Sequence, residues 1–193
     1  MKFKFILTVL AAFFITACSF NKLYLHPTKI SADTKKIKLS SEKDTTYVML
    51  DSNTRQPTFL KNATDTVDLD FTIESVVFES LNGNKLNGWL LKPKNVTPTI
   101  TLLHYHGNAG FILSQYRAMT PMLEYGFQIF VFDYSGFGFS EGKATRKNVL
   151  IDGNSALSYV KSTDDVKNTK LVIYGQSLGG HLAAVVAQQR QNE

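Results

Sequence analysis

The sequence predicts an α/β fold with a mainly parallel sheet, and three observations predict it. Three near-continuous apolar runs, TITLLHYH (99–106), FQIFVFD (127–133) and KLVIYG (170–175), read as buried strands. Each is followed in turn by a stretch of helical spacing. A two-strand unit with a tight-turn signal precedes them, so strands and helices then alternate as in a sheet flanked by helices.

The elements follow in order. FTIESVVFES (71–80) is rich in β-branched and aromatic residues, and Asn82-Gly83 is a strong two-residue turn signal. KLNGWLLKP (85–93) is the returning strand, halted by Pro93. Over 109–125, Ile112, Leu113, Tyr116, Met119, Met122 and Leu123 fall on one broad helical face, and Gly126 ends that helix. YSGFGFSEG (134–142) is a glycine-rich loop. Val149, Leu150, Ala156, Leu157 and Val160 mark a second helix over 145–161. Small and aliphatic residues over 178–190 mark a third. Hydrophobic residues are 44% of the 193, enough for a packed core of one domain.

Before residue 71 the texture differs. Residues 18–70 are dominated by Ser, Thr, Lys, Asp and Asn, and read as a polar tether with one short strand at Tyr47–Leu50. His26 is expected to be a solvated residue of that tether. The first 17 residues carry Lys2 and Lys4, then a mostly apolar run from Phe5 to Ile15. That is signal-peptide length, short of the roughly 20 apolar residues that span a bilayer. The run ends at Ile15-Thr16-Ala17-Cys18, which resembles the lipobox of bacterial lipoproteins. The resemblance implies cleavage before Cys18 and a lipid on its thiol. It implies a membrane-anchored protein of the bacterial cell envelope, at the outer membrane in a Gram-negative cell, since Ser19 is not Asp. Each buried lipid methylene contributes about 0.8 kcal/mol, so two or three chains hold a soluble domain stably.

Net charge is +5 over the whole chain; without Lys2 and Lys4 the balance is 19 basic to 16 acidic side chains, or +3. The basic residues are scattered, which argues against a nucleic-acid partner. Cys18 is the single cysteine, so the chain forms no internal disulfide. No metal-ligand cluster and no phosphate-cradling glycine loop is legible, so neither metal nor cofactor is expected.

Chemistry concentrates at the strand ends. Gly175-Gln176-Ser177-Leu178-Gly179 fits G-x-S-x-G, follows a buried strand and opens a helix. In that context the pattern reads as a nucleophile elbow, with Ser177 on a strained turn that Gly175 and Gly179 permit. The helix start offers free N–H groups to an oxyanion. His106-Gly107-Asn108-Ala109-Gly110 ends the 99–106 strand, where a turn would aim a second N–H at the point that Leu178 N–H addresses.

ESVVFESLNGNKLNGWLL, LLHYHGNAG, VFDYSGFGFSEG and YGQSLGG, in this order and spacing, resemble the α/β-hydrolase superfamily. They are most similar to its serine aminopeptidase-like and membrane-associated serine hydrolases. The resemblance covers about residues 71–193. It implies the N-terminal part of an α/β-hydrolase fold and hydrolysis of an ester, peptide or amide through an acyl-serine. The substrate would be a small acyl or peptide compound. Ser177 resembles the nucleophile, and Leu178 with Asn108, or a direct neighbour of Gly107, the oxyanion donors. Asp133 and Asp152 match structural positions. Ser135 stands where the family often has arginine, so a loop-anchoring ion pair is expected to be absent.

A serine hydroxyl needs a base. The family order is nucleophile, acid, histidine. After Ser177 come one histidine, His181, and one acid, Glu193. His181 lies a turn into the following helix, away from where the serine projects, and is expected to pack there. His104 and His106 precede the serine and are not in triad order. The expectation is therefore a chain truncated after the nucleophile helix and inactive alone. KLVIY would be an exposed edge open to self-association or to a partner completing the sheet. The alternative is a non-catalytic lipid-anchored surface protein.

Overall fold

The computed structural model describes residues 24–40 and 45–192. The elements predicted from residue 71 onward are present. Strands β5 (Phe71–Glu79), β6 (Lys85–Pro93), β7 (Ile100–Tyr105), β8 (Phe127–Phe132) and β9 (Lys170–Gly175) form one sheet in the order β5-β6-β8-β7-β9. β6 runs antiparallel to β5 and β8, while β7 lies parallel to both β8 and β9. Helices α1 (Ile112–Met119), α2 (Arg146–Ser162), α3 (Asp164–Lys167) and α4 (Leu178–Gln189) connect and follow them.

The buried strands are apolar on both faces because both faces are covered. Leu90, Leu103, Phe130 and Phe132 pack with Val149, Ala156 and Val160 of α2 and with Leu182 and Val186 of α4. Their neighbours Leu91, Leu102, Ile129 and Val131 turn the other way, onto Ile112, Leu113 and Tyr116 of α1. The helix expected over 109–125 is divided: α1 stops at Met119 and a 3-10 helix, Thr120–Tyr125, continues. Pro121 lies in its first turn, where the missing N–H and restricted preceding residue disfavour a continuous α-helix. Gly126 closes it at φ 79°, as expected of a glycine stop.

Residues 24–70 correct the tether. Its described part contains an antiparallel meander of β1 (Lys36–Ser40), β2 (Thr45–Leu50), β3 (Pro57–Lys61) and β4 (Asp65–Thr66). Val48, Leu50 and Phe59 are buried against Trp89 and Tyr116, with the Phe59 and Tyr116 ring centroids 5.6 Å apart. Burying one such side chain stabilises by about 1.5–3 kcal/mol, which a solvated linker would forgo. The polar look has a physical source. KIKLS, TTYVML and PTFLK point inward only at alternate residues, because one face of this sheet meets water.

Candidate active site

β9 ends at Gly175 and α4 starts at Leu178, leaving Ser177 between strand and helix at φ 53°, ψ −118°. A non-glycine residue there carries strain of about 1–3 kcal/mol. The surroundings impose it. A Cβ on Gly179 would lie 1.9 Å from the Tyr105 carbonyl oxygen, and one on Gly175 would lie 2.1 Å from the Gly179 carbonyl oxygen. Only glycine at both positions lets the first turn of α4 press onto the ends of β7 and β9. Ser177 itself is exposed.

The turn after β7 comes up beside it. A Cβ on Gly107 would lie 3.6 Å from Gln176 O and 3.9 Å from Ser177 Cβ. Gly110 N–H donates to Gly107 O at 3.0 Å, which closes the turn. No backbone hydrogen bond among the described residues uses the N–H of Leu178 or Asn108. The Asn108 side chain has a different task. Its Oδ1 accepts from His26 N–H at 2.9 Å and its Nδ2 donates to Tyr24 O at 2.5 Å. Leu25, between these two contacts, is buried in the α2–α4 core. The side chain of His26 is exposed. This clasp is not legible in the sequence, because an Asn in a turn carries no sign of a partner 82 residues away.

The other polar groups of the strand ends are structural in their contacts. Asp133 Oδ1 accepts from Ile112 N–H at 2.8 Å, tying the end of β8 to the start of α1. Burial pushes its pKa up to about 7. His106 Nδ1 lies 2.8 Å from Gly107 O. A carbonyl only accepts, so Nδ1 carries the hydrogen and Nε2 presents a lone pair, 3.8 Å from Asp133 Oδ1. Burial holds His106 and His104 down at about 4, so both are neutral near pH 7.

Asp152 of α2 reaches back to the loop before β6 and the loop after β8. It accepts from Ser80 Oγ at 2.7 Å, Asn82 Nδ2 at 3.1 Å and Ser135 N–H at 2.7 Å. All three donors are neutral. With Ser135 in place of arginine, no ion pair to Asp152 appears among the described residues, and burial raises its pKa.

His181 N–H donates to Ser177 O at 3.2 Å, and its exposed side chain lines a cleft between α2 and α4. No histidine side chain is hydrogen-bonded to Ser177 among the described residues. No group of three His, Cys, Asp or Glu side chains among them could hold a metal ion. Cys18 and Glu193 lie outside the described residues.

A five-stranded sheet in this order, with a strained serine between a parallel strand and its helix, decides the fold. Residues 100–193 match the family described as alpha/beta hydrolase fold. This is an α/β-hydrolase fold. Among solved structures, the acetyl xylan esterase from Paenibacillus sp. R4 superposes with a TM-score of 0.55 at 24% identity. The match covers 63% of this chain and 46% of that one. At that identity it shows the fold alone. The uncharacterized protein YfhR of Escherichia coli O157:H7 is 37% identical over 123 residues, 61% of this chain and 43% of the relative. The alpha/beta hydrolase domain-containing protein WAV2 of Arabidopsis thaliana is 30% identical over 130 residues, 65% of this chain and 41% of the relative. The chain thus spans less than half the length of the curated relatives it matches.

Proposed function

We propose that this chain carries the nucleophile and oxyanion site of a serine hydrolase acting on carboxylic esters or amides. One observation carries the reading: Ser177 is strained and exposed at the end of a parallel strand, beside a glycine turn. In the reaction Ser177 Oγ attacks the substrate carbonyl and gives its proton to a base. The oxyanion draws on the N–H groups of Leu178 and Asn108. Collapse expels the alcohol or amine, which takes the proton from the protonated base and leaves an acyl-serine. Water then releases the acid by the same steps.

The described histidines do not supply that base. His104 and His106 are buried, His181 faces the α2–α4 cleft, and the exposed His26 makes no side-chain hydrogen bond to Ser177. The 193 residues alone are therefore expected to turn over no ester. The same observation favours the second reading, a non-catalytic surface protein.

Fluorophosphonate labelling read by intact-protein mass separates the two. The hydrolase reading expects one slow adduct at Ser177, accelerated by added imidazole as a surrogate base and absent from Ser177→Ala. A folded chain that stays unlabelled with imidazole present overturns it.

The lipobox-like segment supports a bacterial-envelope protein anchored through a lipid on Cys18, although no described helix is long and apolar enough to cross a membrane. Metabolic labelling with an alkynyl palmitate should mark the protein and not Cys18→Ser; equal labelling of both rules the anchor out.

A further inference from the structure

A cleft of about 580 Å³ opens on the α2–α4 side of Ser177. That volume falls within the roughly 300–1,000 Å³ of ligand sites. Its walls are apolar and come from three separate segments. Val149 and Leu150 belong to α2, Leu178 and Leu182 to α4, and Leu25 to the N-terminal segment. That last wall is fastened in place by Asn108, through the two hydrogen bonds to Tyr24 and His26. It is also fastened by a bridge in which Ile30 N–H donates to Gly138 O and Gly138 N–H donates to Thr28 O.

The cleft carries basic side chains at one end. Among the described residues the charged side chains that line it are Arg146 and Lys147, at the start of α2. An apolar trough with basic groups at its end suits a ligand that is both apolar and negative. Leu178 joins the cleft to the elbow. Its side chain forms part of the wall, and its backbone N–H belongs to the oxyanion site proposed above.

We propose that this cleft binds a single-chain anionic amphiphile, an acyl chain along the apolar walls with its negative group toward Lys147. As a statement about substrate it rests on the serine-hydrolase reading: the compounds cleaved at Ser177 are then acyl esters bearing a negative charge. As a binding site it stands without that reading.

Fluorescence titration of the full chain with dansylated undecanoate tests the binding, with laurate and uncharged dodecanol as competitors. Saturable binding is expected, with laurate displacing the probe better than dodecanol. Val185→Trp places a ring in the cleft and should weaken binding about tenfold. Lys147→Glu, on an exposed residue, should weaken laurate about fivefold and leave dodecanol unchanged. Ser177→Ala should bind as the parent does. No saturable binding, parental affinity in Val185→Trp, or equal competition by laurate and dodecanol overturns the proposal. Binding without imidazole-dependent Ser177 labelling leaves the cleft standing and removes the hydrolase reading. Labelling without binding does the reverse.

Discussion

His104, His106 and Asp133 sit under the candidate site with almost no contact with water, and their titration acts on the fold. Both ring nitrogens of His104 and Nε2 of His106 are buried without a hydrogen-bond partner among the described residues. Charging either ring in the folded state is therefore costly, which is why burial holds both at about 4. An unfolded histidine titrates near 6.5, so the unfolded chain binds more protons between about 4 and 6.5. The contribution of each histidine is present above pH 6.5 and is lost as pH falls toward 4. Asp133 has the opposite sign. Its folded pKa of about 7 lies above the ordinary carboxylate value, so its contribution is present at low pH and is lost as pH rises toward 7. Asp152, also raised, shares that sign. Thermal unfolding between pH 4.5 and 6.5 separates them. Relative to the parent, His104→Phe should make Tm rise less steeply with pH, and Asp133→Asn more steeply. Each change in slope is at most about 1.4 kcal/mol per pH unit. A steeper rise in His104→Phe would refute the assignment.

Elements written as dense runs of apolar or β-branched residues were legible in the sequence, and most of the sparsely apolar meander was not. β7 and β8 read as strands from runs such as LLHY and FVF, because helices cover both sides of the sheet there. β9 read as a buried strand from KLVIYG, yet its residues alternate between exposed and half-buried, because one side of it has no neighbouring strand among the described residues and Val172 and Tyr174 meet water. The elbow read as an elbow because Gly175 and Gly179 answer a local steric demand that sequence spacing encodes. Apart from the short strand read at Tyr47–Leu50, the meander of 36–66 hid behind its polar half. Lys36, Lys38, Thr58 and Lys61 face water, and Val48, Leu50 and Phe59 are spaced among them too thinly to form a run. Period-two alternation was nevertheless present in KIKLS. Reading it as a strand required weighting alternation above composition. The Asn108 clasp lay beyond reach for another reason. Its partners are backbone atoms of Tyr24 and His26, and backbone atoms leave no sequence signature.

At the scale of the whole molecule, β9 stands at one margin of the sheet and, among the described residues, has β7 as its neighbour on one side only. On the opposite margin, β5 exposes Glu74 and Glu79, charges that oppose pairing with a second strand. β9 has only Lys170 for that purpose, at its first residue, and presents Val172 and Tyr174 about two-fifths exposed. Its other side therefore offers unpaired N–H and C=O groups beside apolar side chains. Such an edge pairs with another strand when one is supplied. For the 193-residue chain in isolation the available strand is another copy, so self-association through β9 is expected at concentrations where the fold itself is stable. A lysine at position 172 adds charge at the exposed edge, with little core to disturb. Val172→Lys should shift the sedimentation profile toward monomer and leave far-ultraviolet circular dichroism and Tm near the parent values. If Val172→Lys associates as strongly as the parent, contact between copies runs through another surface, and β9 is not the edge that directs it.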